Sequence, residues 1–219
     1  MKILAVSDRV EETINSPAIK DQFGDVELVL SCGDLPPQYL EHIRTALDVP
    51  LLYVFGNHDH GIYTSDGGFT LAPSGCVNVD GHIVEVKGLL IGGLEGSMYY
   101  SERAAYQNTE AEMRLKAWRM APVLWWNRLH HGRALDILIS HAPPFGIHDG
   151  EDRCHTGFRT FLRMMDLYRP RYLVHGHQHI YSPSTTSRTT YRETQVINTY
   201  NYQVIEWDQP DTECEAGAG

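Results

Sequence analysis

The chain has 219 residues, 42% of them hydrophobic, enough to fill the core of one large domain. Its longest apolar runs, such as Ile137-Leu138-Ile139, fall far short of the roughly 20 residues that a membrane-spanning helix needs. Eighteen Lys and Arg against 28 Asp and Glu give a formal net charge of −10, a balance that repels polyanions and argues against non-specific nucleic-acid binding.

The opening Met1-Lys2-Ile3-Leu4-Ala5-Val6 gives way at once to Ser7-Asp8, too short an apolar stretch for a secretory signal. A cytoplasmic protein is expected, with no membrane partner. Lys2–Val6 reads as a strand buried on both faces. Ser16-Pro17 reads as the N-cap and first position of a helix that stops at Gly24. Val26–Ser31 is a second buried strand. Pro36-Pro37 opens a helix with Tyr39, Leu40, Ile43 and Leu47 on one stripe, and Leu51–Phe55 is a third strand. This alternation predicts a parallel sheet.

Beyond it, Cys76–Val79, His82–Val86 and Leu89–Ile91 read as short strands joined by the hairpin dipeptides Asp80-Gly81 and Lys87-Gly88. Gly92-Gly93-Leu94-Glu95-Gly96-Ser97 reads as a flexible loop and lacks the Lys-Ser/Thr of a phosphate-binding loop. Asn108 to His131 reads as helix in two pieces, broken at Pro122 and closed by Gly132, with Trp118, Trp125 and Trp126 as core or interface anchors. Leu135–Ser140 is a buried strand. Thr156 can cap a helix carrying Phe158, Phe161, Leu162 and Met165 that ends before Pro170, and strand Arg171–Val174 follows. Thr189–Thr194, Gln195–Thr199 and Tyr202–Trp207 read as an antiparallel meander. One domain is expected over residues 1–207, with 208–219 an acidic, frayed tail.

Five strands each run into an Asp, Asn or His. The first leads to Asp8, the second to Gly33-Asp34, the third to Gly56-Asn57-His58-Asp59, the fourth to His141, and the fifth to His175-Gly176-His177-Gln178-His179. Carboxyl ends of strands are where an α/β sheet builds its sites. Two carboxylates, an amide oxygen and several imidazoles suit Mn²⁺, Fe or Zn²⁺ and lack the thiolates of a structural zinc site. The four cysteines, Cys32, Cys76, Cys154 and Cys214, are scattered and read as reduced thiols.

These motifs, in this order, resemble those of the calcineurin-like metallophosphoesterases: D-x-H, G-D, G-N-H-D/E, an isolated His and G-H-x-H. The resemblance runs from residue 8 to residue 179. It implies a four-layer αββα sandwich of two mixed sheets flanked by helices, and two divalent metal ions bridged by Asp34. One ion would also take Asn57, His141 and His177; the other would take Asp8 and His179. Val10 stands where the pattern wants a histidine, which predicts a weaker Asp8/Asp34/His179 site, completed by water or by a neighbour such as Glu11, or else an empty one.

Two such cations about 3.5–4 Å apart would activate a bridging water for in-line attack on a phosphomonoester or phosphodiester. His58 would protonate the leaving oxygen, with Asp59 holding its other ring nitrogen. Arg9, His148 and His155 are candidate contacts for a small phosphoester substrate. The competing reading is a protein-interaction scaffold on the same fold whose metal site has degenerated, like that of the retromer subunit.

Overall fold

The computed structural model describes residues 1–59, 62–63, 69–70, 72–182 and 185–208. Cys214 and the tail beyond Asp208 lie outside the described residues. Strands β1 (Lys2–Ser7), β2 (Val26–Ser31) and β3 (Leu51–Tyr53) run parallel, with α1 (Ile19–Phe23) and α2 (Pro37–Leu47) as their crossovers. After the small antiparallel pair β4 (Ile62–Tyr63) and β5 (Phe69–Thr70), β6 (Val77–Asn78) adds to the free edge of β3. Then β7 (Ile83–Val86) and β8 (Leu89–Leu94) form a hairpin, and β9 (Ser97–Met98) pairs with β10 (Gln107–Asn108). The long helix α3 (Glu110–His131) leads to β11 (Ile137–Ser140), and α4 (Arg159–Tyr168) leads to β12 (Tyr172–His175). Last come β13 (Arg188–Tyr191), β14 (Thr194–Asn198) and β15 (Asn201–Glu206).

The result is two large mixed sheets, ordered β15-β1-β2-β3-β6 and β13-β14-β12-β11-β8-β7. They face each other across a core that includes Ile3, Ala5, Leu30, Ile91, Ile139 and Val174. The alternate residues Leu4 and Val6 of β1 turn outward against Ile19, Phe23, Tyr39 and Ile43 of the first helix layer. On the other side, Met113, Met120 and Leu124 of α3 and Phe161 and Met165 of α4 cover the second sheet. Both faces of each central strand are therefore apolar, which is why these strands read as continuous hydrophobic runs. The expected αββα sandwich is the fold observed.

Several local expectations are corrected. The final three strands do not form a meander. β13 and β14 make a hairpin, but β14 lies parallel to β12, while β15 crosses to the other sheet and runs antiparallel to β1. Asp80-Gly81 is likewise no hairpin, since β6 and β7 belong to different sheets. Helix α3 runs unbroken through Pro122, which sits on the exposed face, where the carbonyl that proline frees meets water. A capping box between Thr109 and Glu112 starts α3, and Gly132 in the left-handed region ends it. The tryptophans are not core: Trp118, Trp125 and Trp126 are 70%, 60% and 61% exposed.

Neither Ser16 nor Thr156 is a cap. The Ser16 hydroxyl donates to the Thr13 carbonyl and that of Thr156 to the Asp152 carbonyl. The amino end of α4 is satisfied from outside the helix, by Glu110 accepting from the N–H groups of Arg159 and Thr160 at 3.0 and 2.8 Å.

The glycine-rich stretch is not a flexible loop at its start, because Gly92 and Gly93 lie inside buried β8. A Cβ on Gly93 would stand 2.6 Å from Val54 and 2.7 Å from Val79, so the two sheets approach too closely there for any side chain. Glu95, just beyond, shares Lys116 with Asp80 at 3.3 and 2.8 Å. Burial, with the neighbouring Asp80 charge, pushes the Glu95 pKa up to about 7 against the pull of Lys116. A carboxyl whose folded pKa is raised contributes stability that is present below its unfolded value and lost as pH rises through the folded one. The melting temperature should therefore fall between about pH 4.5 and pH 7. In Glu95→Gln that part of the slope should vanish, as calorimetry across this range will report.

Candidate metal centre

The carboxyl ends of β1, β2, β11 and β12 and the loop after β3 meet at one edge between the sheets. His141 lies at the centre, fully buried, with Nδ1 2.7 Å from the Cys32 carbonyl. That bond sets the ring so that Nε2 faces Asn57 Oδ1 at 3.0 Å and Asp34 Oδ2 at 3.4 Å. The His177 ring lies tilted by 59° beside that of His141, with centroids 4.7 Å apart. Donor atoms of Asp34, His141 and His177 all lie within 4.8 Å of one another, a spacing that fits a single cation between them. Buried Asp8 accepts the His177 N–H at 3.0 and 3.1 Å, and Nε2 of His179 stands 4.0 Å from it.

The six expected ligands are thus brought together, but unequally. Asp34, Asn57, His141 and His177 form a tight, mostly buried group. His179 is 43% exposed on its side chain, has Nδ1 2.7 Å from the Tyr181 hydroxyl and lies against the Tyr200 ring. Val10 packs against the apolar cluster of the first helix layer, which includes Tyr39. Glu11, the neighbour considered as a replacement, is committed elsewhere: its oxygens accept from Asn201 and Thr13 at 2.7 and 3.3 Å.

The backbone is bent to achieve this. Asp8, Asp34 and His177 have φ of 62°, 58° and 67°, the left-handed region that side-chain-bearing residues seldom adopt. Each such residue costs on the order of 1 kcal/mol, a strain that folds retain mainly where a site needs it. Gly56 has no alternative: a Cβ there would overlap the Asp34 carboxylate and stand 2.6 Å from the His141 ring.

Electrostatics divides the group. Burial opposes charge on Asp34, yet the adjacent His141, with hydrogen bonds from that ring and from the His58 N–H, holds its pKa down at about 2. Full burial works against charge on His141 too, and the same pairing nevertheless raises it to about 9. His177 is driven the other way, to about 3, by burial and by the His141 charge. Burial raises Asp8, with the His141 charge opposing. A cation seated between Asp34 and His141 would take the place of the imidazolium proton, so its binding releases that proton and weakens in acid.

The other candidates separate clearly. Asp59 does not hold the His58 ring. Its Oδ2 accepts the N–H groups of Asp34 and Gly56 at 3.0 and 2.6 Å, and its Oδ1 accepts that of Leu35 at 3.1 Å. Burial pushes its pKa up to about 6. It braces the loop because the tight turns after β2 and β3 aim three backbone donors at one point. His58 is exposed, and its N–H donates to Asp34 Oδ1 at 2.8 Å.

His148 is not available to a substrate. Its ring nitrogens are 3.0 Å from His175 Nε2 and 2.8 Å from the Thr189 hydroxyl. His155 does reach the centre, with its ring 5.0 Å from that of His177. Arg9 is exposed beside a polar cavity of about 340 Å³ lined also by Tyr200, Asn201 and Gln203, and it has no ion-pair partner among the described residues. Sequence reasoning passed over Tyr100, whose hydroxyl accepts from Asn57 Nδ2 at 3.1 Å, and Cys154, whose Sγ lies 3.9 Å from His177 Nε2. Tyr100 carried no motif. The adjacency of Cys154 and His155 is the mark this pair leaves in the sequence.

Comparison with known proteins bears on the fold that carries this group. The model of the calcineurin-like phosphoesterase family matches residues 1–181. The crystal structure of TT1561 of Thermus thermophilus superposes with a TM-score of 0.61 at 14% identity, covering 91% of this chain and 89% of that one. The structure of GAP50, described as the anchor in the inner membrane complex of Plasmodium, gives 0.52 at 15% identity over 90% of this chain and 70% of that one. At such identities the likeness speaks for the fold alone. No curated protein sequence matches the chain.

Proposed function

The chain belongs to the calcineurin-like phosphoesterase family, and from that premise we propose that it is a metal-dependent hydrolase of small phosphomonoesters or phosphodiesters. The observation that carries this reading is the tight group of Asp34, Asn57, His141 and His177, an O/N donor set that suits Mn²⁺, Fe or Zn²⁺. Those four residues would hold one ion. Asp34 with Asp8 and His179 would hold a second, more weakly, because position 10 supplies no imidazole. When bound, the ions supply the positive charge that activates water and polarises the phosphoryl group.

The chain's own residues have distinct tasks. Asp34 and Asp8 present carboxylate oxygens in a buried setting, and Asp59 holds the loop that aims Asp34. His58, exposed at the rim with its main chain anchored on Asp34, donates a proton to the leaving oxygen. Arg9, unpaired among the described residues, is the contact for an anionic group of the substrate. The net charge of −10 favours small phosphoesters over bulk nucleic acid. His58→Gln should leave metal content unchanged and slow hydrolysis of an activated aryl phosphoester by roughly 10²–10⁴ in Mn²⁺. The loss should be greatest for poor leaving groups. Equal metal loss would remove His58 from this role.

One observation favours the second reading, a scaffold. The exposed face of α3 carries Trp118, Trp125, Trp126 and Leu129, a group of large exposed apolar side chains of the kind found at interaction sites. Hydrolysis that depends on His58 and on added metal decides for the enzyme; a metal-replete protein without turnover decides for the scaffold.

A further inference from the structure

The segment between β11 and α4 brings two donors that the calcineurin-like motif set does not contain. Cys154 Sγ and ring nitrogens of His155 and His177 lie within 4.8 Å of one another. Sγ is 3.9 Å from His177 Nε2. Around a tetrahedral ion, sulfur and nitrogen ligands stand roughly 3.6 Å apart, from bond lengths near 2.3 and 2.05 Å. A few tenths of an ångström of movement closes the difference.

The cluster is built rather than accidental. Asp152 grips His155 Nδ1 at 2.7 and 2.9 Å and also accepts the His155 N–H at 3.0 Å. A carboxylate on one ring nitrogen fixes the ring and makes the other nitrogen the basic one, the usual arrangement behind a metal-bound histidine. The loop is pinned beside His177 by Gln178 Nε2, which donates to the His155 carbonyl at 3.2 Å, and by Gly150, whose N–H donates to the same carbonyl at 2.9 Å. His177 Nε2 now meets the Cys154 carbonyl at 2.9 Å, so an ion entering there displaces that contact.

We propose that Cys154, His155 and His177 form a cation site for a borderline-soft ion of the zinc class, with its fourth position open. His177 belongs also to the Asp34/His141 group, and a neutral imidazole has one unprotonated nitrogen and so ligates one ion. The two groups therefore compete: a hard ion such as Mn²⁺ is drawn to Asp34 and Asn57, and a softer ion is drawn toward the thiolate. On this side the chain has gained donors, while on the far side Val10 has lost one. Binding releases the thiol proton, since only the thiolate ligates. The assignment does not depend on hydrolysis.

Titration of the reduced full-length protein with Co²⁺ alone tests it, because a thiolate ligand produces a near-ultraviolet charge-transfer band that oxygen and nitrogen ligands do not. The band should appear with the first equivalent, disappear in Cys154→Ser and Cys154→Ala, and require about 10–100-fold more Co²⁺ in Asp152→Ala, which loosens His155. It should persist in Asp34→Asn, which separates this site from the hydrolytic reading. Excess Mn²⁺ should suppress it. A wild-type protein that binds Co²⁺ without the band overturns the proposal, and so does a band that survives both Cys154 substitutions. If the Cys154 variants fail to fold, loss of the band in His155→Ala carries the same test, and its retention there at unchanged Co²⁺ affinity overturns the assignment.

Discussion

Asp34→Asn should lower hydrolysis of an aryl phosphoester in Mn²⁺ by on the order of 10³-fold or more, and should strip bound Mn²⁺ from the protein. Asp34 is the carboxylate that both expected ion positions share, and the adjacent His141 holds it in its charged form, with a pKa of about 2. The asparagine oxygen still accepts the His58 N–H, so the loop stays in place while the charge is lost. A 10³-fold loss corresponds to about 4 kcal/mol of transition-state stabilisation, within what metal charge supplies. Elemental analysis beside the rate measurement checks both halves. Retention of full metal and a tenth of the activity would refute the bridging role.

Asp59→Ala should destabilise the protein by about 3 kcal/mol or more, read as a shift of the urea midpoint at constant slope at about pH 8. Its two oxygens accept three backbone N–H groups, of Asp34, Leu35 and Gly56, and alanine leaves all three donors without that partner. Each unsatisfied buried group costs about 1–3 kcal/mol. The same loss frees the loop that aims Asp34, so activity should fall along with stability. Asp59→Asn keeps one carbonyl acceptor and removes a buried charge whose pKa burial has already pushed up to about 6, so it should recover much of the stability. An Asp59→Ala protein as stable as the parent would show that water replaces the carboxylate without cost.

The motifs at strand ends were legible in the sequence. Parallel strands of one sheet deliver their carboxyl ends to one edge, which groups Asp8, Asp34 and Asn57 on one sheet and His141 and His177 on the other; that the two edges meet was decided by how the sheets pack. The continuous apolar runs of these strands also called for cover on both faces, as residues such as Ile3 and Leu4 receive, while the four-layer sandwich itself was what the family resemblance implied.

What the tertiary structure alone decided is which partner each polar group takes. Asp59 and His58 are adjacent in sequence, yet three backbone donors from two turns converge on the carboxylate and outcompete the ring. His148 and His155 look alike along the chain. One is tied to His175 and Thr189, while the other is held by Asp152 against His177. Glu110 caps a helix 49 residues away, and β15 leaves its neighbour β14 to pair with β1 across the molecule. Local periodicity reports which face of an element is buried, because burial repeats along the element. A hydrogen bond or a ligand pair depends on a distance of about 3 Å between segments far apart in the chain, and only the packed sheets set that distance.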